Sequence, residues 1–381
     1  MPYFDAASAE PMLAQARQAL LAALDDGWAD PARLHREGRR AALLLDAARE
    51  QVAADLGCRP DELSFTASGT QAAHLAVLGA TQARQSPTRG PIHVIASAVE
   101  HSSVLNAATH ASHAGAELTI TPVGRTGRAD VAAIAAALGQ QRTVLACLQT
   151  ANHEVGTLQP VAEVAGLCAA AGVPLLVDAA ASAGREPLPA GWSLLVASAH
   201  KWGGPPGVGV LAVRRQVRWR SPLPGDSREG RRVPGFPNLP AIAAAAASLS
   251  AFREKIIYQK NEQSRLIARL RGELPELIPD CAVHGDPAGS LPHILAFSFL
   301  YLDGEALVTE LDRAGFSVSS GSSCASETRQ PSHVLEAMGA LTHGNVRVSL
   351  PLDVTDGQVS EFLAVLPPIV GRLREQAGLP S

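Results

Sequence analysis

Lysine is scarce in this chain. Among 32 lysines and arginines in 381 residues, only Lys201, Lys255 and Lys260 are lysines. Arginine supplies the remaining basic charge, so a lysine at a strand end either simply reaches solvent or is there for its amine. An amine can lose its proton when desolvated and bond to an aldehyde; a guanidinium cannot. Long basic blocks are also missing and the net charge is -4, which argues against nucleic acid as a main partner. No window approaches the roughly 20 apolar residues of a membrane span. The alanine run at 241–247 is too short and ends in Ser248 and Ser250. The N-terminus, MPYFDAASAEPML, has no basic stretch followed by an apolar one, so no secretory signal is expected. The five cysteines are scattered, odd in number and in no zinc-like pairing, which predicts free thiols in a reducing cytoplasm and no metal centre. Internal repeats and low-complexity tails are absent.

What is present is apolar periodicity. With 46% hydrophobic residues the chain can bury a substantial core, divided between two domains. Helical spacing marks residues 12–24, 39–56 and 72–80. Strand-like segments recur at 62–66, 93–97, 117–121, 143–148, 175–177, 194–197 and 208–213, with helical stretches at 130–138 and 161–171 among them. This alternation predicts an α/β fold with a mainly parallel sheet of seven strands between helices. Such sheets gather ligand-binding groups on loops at the carboxyl ends of their strands. After an irregular Pro/Gly/Arg-rich stretch at 222–240, a helix over 241–266 leads to short strands near 282–284, 294–299 and 346–350. The division expected is a large domain over 13–245 and a smaller α+β domain from 1–12 and 246–381.

Several loops at the expected strand ends carry polar residues able to do chemistry. Ser68-Gly69-Thr70 opens a helix, where backbone N–H groups and hydroxyls can cradle an anion or merely cap the helix. His101 follows a strand and can stack on a ring or shuttle a proton, or can be a surface histidine. Asp178 closes the apolar run 174–177, a costly place for an unpaired carboxylate; it can pair with a protonated ring nitrogen or cap the next helix. Ser198 and His200 flank Lys201 and can donate to a phosphate. An anion cradle, a ring-facing histidine, a partner for a pyridinium nitrogen and a lysine amine together specify pyridoxal 5'-phosphate. Cys324 sits among small polar residues, SSGSSCAS, as a nucleophile candidate or an incidental loop thiol. Arg347 lies within an apolar strand pattern, where it either grips a substrate carboxylate or forms an internal salt bridge.

In order along the chain these residues resemble the cysteine desulfurases, a group within the class-V aminotransferases of fold-type-I pyridoxal-phosphate enzymes. The resemblance runs from Tyr3-Phe4-Asp5 to Arg347. It includes Ser68-Gly69-Thr70, Glu100-His101, Asn152-His153-Glu154-Val155-Gly156, Val177-Asp178-Ala179, Ser198-Ala199-His200-Lys201 and Ser320-Gly321-Ser322-Ser323-Cys324. It implies a homodimer that converts L-cysteine to L-alanine and hands sulfur to an acceptor protein, for iron–sulfur assembly or other thiolation. Lys201 would hold the cofactor and move the substrate's α-proton. His101 would stack on the ring, Asp178 pair with its nitrogen, and Gly69, Thr70, Ser198 and His200 bind its phosphate. Arg347, with Asn152 and His153, would bind the substrate carboxylate, and Cys324 would take the sulfur as a persulfide. The sequence departs from the family pattern at His153, Ala181 and Phe236, where Asn, Gln and Thr are usual, and at Ala7-Ser8-Ala9. These departures leave two alternatives, a diverged lyase or aminotransferase acting on another amino acid and a non-catalytic partner-binding homologue.

Overall fold

The computed structural model describes residues 1–85, 90–139, 142–320 and 331–378. Seven apolar segments form its main sheet: β1 (Leu63–Thr66), β2 (His93–Ser97), β3 (Glu117–Thr121), β4 (Thr143–Gln149), β5 (Leu175–Asp178), β6 (Leu194–Ser198) and β7 (Gly209–Val213), in the order β1-β7-β6-β5-β4-β2-β3. Neighbours from β6 through β3 run parallel, and only β7 is antiparallel to both strands beside it. Both faces of the sheet are covered, which is why β5 and β6 read as unbroken apolar runs. The period of two still sorts the side chains. Leu175, Val177, Leu195 and Ala197 point into one core, while Leu176, Leu194 and Val196 point into the other.

The first core is closed by α1 (Ala14–Asp26), α2 (Arg36–Leu56) and the start of α7 (Leu239–Leu277); the second by α3 (Gly69–Gln82) and α4 (Ser102–His113). α5 (Val131–Leu138) and α6 (Val161–Ala171) make the crossovers that parallel strands require. A three-stranded antiparallel sheet, β8 (Cys281–His284), β9 (Ile294–Phe299) and β10 (Asn345–Ser349), has its own core around Phe297, Phe299, Phe316 and Phe362. Phe4 joins that core, tying the N-terminus to it. α7 is 39 residues long and outruns the 241–266 expected of it, because Leu266, Ile267, Leu270 and Leu274 continue its apolar stripe onto this second sheet. α8 (Gly304–Arg313), α9 (His333–Ala337) and α10 (Asp356–Gln376) complete the fold.

Candidate active site

The carboxyl ends of β4, β5 and β6 and the loop after β2 surround one cavity of about 290 Å³. Each contributes a polar residue: Gln149, Asp178, Ser198 and His101. The first turn of α3 closes one side. Ser68 has extended backbone geometry and its Oγ accepts from the Gln71 N–H at 3.0 Å, so it is the helix cap and a cavity wall at once. Two glycines permit this close approach. A Cβ on Gly69 would lie 2.8 Å from Ser198 Cβ, and one on Gly209 would meet the Ser68 carbonyl oxygen at 2.2 Å. Only glycine lets the helix start abut the ends of β6 and β7.

Lys201 leaves β6 on a short 3₁₀ turn, Ala199–Trp202, and its Nζ donates to the carbonyl of Ala7. Beside it, Ser198 Oγ and His200 Nδ1 lie 3.0 Å apart. Asp178 Oδ1 accepts from the Ala180 N–H at 2.8 Å. Burial lifts its carboxyl above the usual carboxylate range, opposed by His101, that N–H and Lys201. His101 caps α4: its Nδ1 accepts from the Ser103 N–H at 3.1 Å and lies 2.8 Å from Ser103 Oγ. That fixes Nδ1 as the acceptor and leaves the proton of a neutral ring on Nε2. Burial holds the imidazoles of His101, His153 and His200 below their ordinary range, His200 at about 4, with Lys201 adding to each. At neutral pH this wall is therefore a set of uncharged rings around an amine.

The His153 ring meets that of His101 edge to face, with centroids 5.0 Å apart. Asn152 presents it: its Oδ1 accepts from the N–H groups of Glu154 and Val155, both at 2.9 Å, and its Nδ2 donates to the Val99 carbonyl. Arg347 Nη1 donates to the His153 carbonyl at 2.9 Å, and Nη2 donates to Asp5 Oδ1 at 2.8 Å and Ser8 Oγ at 2.6 Å.

Of the residues singled out in the sequence, Gly69, Thr70, His101, His153, Asp178, Ser198, His200 and Lys201 line one cavity. Asn152 does not; its side chain is committed to the turn. Arg347 does not either, and it stands in the internal salt bridge that was the competing explanation for it. Cys324 lies outside the described residues. The described residues that flank its segment are tied to Arg347, Glu154 and Glu100. Ser319 bridges to Arg347 through the backbone, Ser332 Oγ donates to Glu154, and His333 Nε2 lies 2.9 Å from the Glu100 carbonyl. Gln149 and Ser103 also line the cavity and were missed in the sequence. For Gln149 the signal was there: like Asp178, it is a polar residue ending an apolar strand.

The class-V aminotransferase family model matches residues 2–362, and the chain belongs to that family. A cysteine desulfurase from Nostoc sp. is 36% identical over 365 residues, covering 94% of this chain and 90% of that one. An IscS-like cysteine desulfurase from Mycobacterium tuberculosis is 34% identical and covers 99% and 98%. Among solved structures, a NifS-like protein superposes with a TM-score of 0.89 at 27% identity, covering 98% of this chain and all of its own.

Proposed function

We propose that the protein is a pyridoxal-phosphate-dependent cysteine desulfurase, converting L-cysteine to L-alanine and carrying the sulfur as a persulfide on Cys324. The observation that carries this reading is that Lys201, a rare amine here, shares one cavity with a glycine-made cradle, a buried carboxyl and a neutral histidine. The donor set fits the cofactor. The first turn of α3 with Thr70, Ser198 and His200 would hold its phosphate, Asp178 its ring nitrogen, His101 its ring face and Lys201 its aldehyde carbon. A positive ring nitrogen next to Asp178 would reverse the burial effect on that carboxyl and keep it ionised. When bound, the cofactor withdraws electrons from the substrate's α-carbon and so weakens the Cβ–S bond.

The chain's own groups do the rest. Lys201 Nζ, in the cavity beside the residues that would hold the cofactor ring, takes the α-proton. His101 Nε2, its tautomer fixed from the opposite nitrogen, is a second proton carrier. Arg347 meets the substrate carboxylate by exchanging Asp5 for it, a substitution of one carboxylate for another that leaves the guanidinium paired. The Cys324 thiolate attacks the substrate sulfur: an S–S bond forms, the Cβ–S bond breaks, and its electron pair stays on carbon and takes up a proton, giving alanine. An acceptor protein then receives the persulfide sulfur. We infer a homodimer in a reducing cytoplasm, where Cys324 stays a thiol between turnovers. None of the described helices is long and apolar enough to cross a membrane.

Cys324→Ala tests the nucleophile. The variant is expected to bind the cofactor as the parent does but to show no persulfide by mass spectrometry after addition of L-cysteine. A variant that acquires the persulfide in parental yield would overturn the assignment.

A further inference from the structure

A second, much smaller cavity shares His153, Ala181 and Lys201 with the first and is completed by Arg185 and His293. It leaves about 10 Å³ in which the centre of a water can sit, room for one molecule and too little for a chain of them. Nine buried side-chain atoms have no hydrogen-bond partner among the described residues, and three of these belong to this wall: His153 Nδ1, Arg185 Nη1 and His293 Nδ1. Unsatisfied buried polar atoms are costly and rare, so their convergence on one cavity calls for a ligand.

The donor pattern says which ligand. Arg185 can only donate, and it cannot swing away: Nη2 is held by Glu10 and the guanidinium lies 4.7 Å from the centre of the Phe252 ring. His153 Nε2 lies 3.6 Å from Glu154 Oε1, which favours the ring proton there and leaves a lone pair on Nδ1. The ligand must therefore accept from a cation and donate to an imidazole. A monatomic anion small enough for this space cannot donate, and a metal ion cannot accept and would face the Arg185 guanidinium. A water does both. We propose that this cavity is a site for one internal water that accepts from Arg185 Nη1 and donates to Nδ1 of His153 and His293. The water fixes the tautomer and tilt of His153, which also lines the main cavity, and makes Arg185 and His293 positioning residues for it. Ala181 leaves the space open, since a longer side chain on this shared wall would enter it. The inference does not rest on the reaction proposed above.

Two measurements on the cofactor-loaded protein test it. A crystal structure that resolves ordered waters should show one density peak about 2.7–3.2 Å from all three atoms. A cavity without density, or one filled by a turned side chain, overturns the proposal. Nitrogen-15 spectra of labelled histidines should show His153 as a single Nε2–H tautomer. His293→Phe, which removes the polar partner, should mix the tautomers, and His293→Gln, which can still hold the water, should restore the single one. An unchanged His153 signal in His293→Phe overturns the positioning role. If that variant does not fold, the parent's density decides alone.

Discussion

Two arginines are held by the same N-terminal segment, and they are held differently. Arg185 and Glu10 are both 2% exposed, and the second oxygen of Glu10 accepts from the Leu352 N–H at 3.1 Å. Every bond of that carboxylate is internal. Arg347 is nearly as buried, at 6%, but its partner Asp5 is 21% exposed, is supported by Ser8 from within the cavity wall, and leaves Arg347 Nε without a partner among the described residues. The first pair is a staple between the N-terminus and the large sheet. The second is the contact that, in the proposed reaction, the substrate carboxylate takes over from Asp5. Five residues of sequence separate a structural ion pair from an exchangeable one, and solvent access to the acid makes the difference.

The largest expected effect comes from breaking the staple. Glu10→Ala leaves Arg185 buried and uncompensated, and should lower unfolding free energy in urea by about 3–5 kcal/mol. A loss under about 1 kcal/mol would mean that Arg185 finds water and that the two pairs are alike.

A buried carboxyl with no arginine sharpens the contrast. Among the described residues Glu100 accepts only the Gln149 N–H, at 3.0 Å, and burial raises it to about 8. Its protonated form is favoured in the folded state, so its contribution is full below the unfolded value of 4.5 and is lost as pH rises through about 8. Stability should fall by on the order of 4 kcal/mol between about pH 5 and pH 9 on this account, and Glu100→Gln should flatten the fall. An unchanged pH profile in the variant would show that Glu100 is ionised throughout.

The smallest effect should come from the exchangeable pair. Asp5→Asn should cost about 1 kcal/mol in stability, while lowering the KM for L-cysteine, because the internal competitor for Arg347 is weakened. A raised KM would instead make Asp5 part of the substrate site.

Much of this was legible in the sequence. All seven strands of the main sheet were: β4, β5, β6 and β7 as buried apolar runs, and β1, β2 and β3 as short segments rich in β-branched or aromatic residues; so were the polar residues that end the buried runs. α4 was not, since its sequence, SSVLNAATHASH, dilutes a four-residue apolar stripe with Ser, His and Asn. α10 was hidden by Pro367 and Pro368, which read as breakers yet lie inside the helix. Whether Arg347 faced a ligand or an internal acid was also illegible, because Asp5 lies 342 positions away. The inward turn of His153 depends on bonds from Asn152 to the backbone, which spacing cannot reveal.

The most direct test of the central claim is the absorption spectrum of the purified protein, titrated with pyridoxal phosphate and then with L-cysteine, with alanine assayed alongside and Lys201→Ala as the control. The account predicts a visible band that saturates with the cofactor, changes on adding L-cysteine and accompanies alanine release, and that is missing in Lys201→Ala. A band of equal strength in Lys201→Ala, or a saturated band that ignores L-cysteine and yields no alanine, would contradict it.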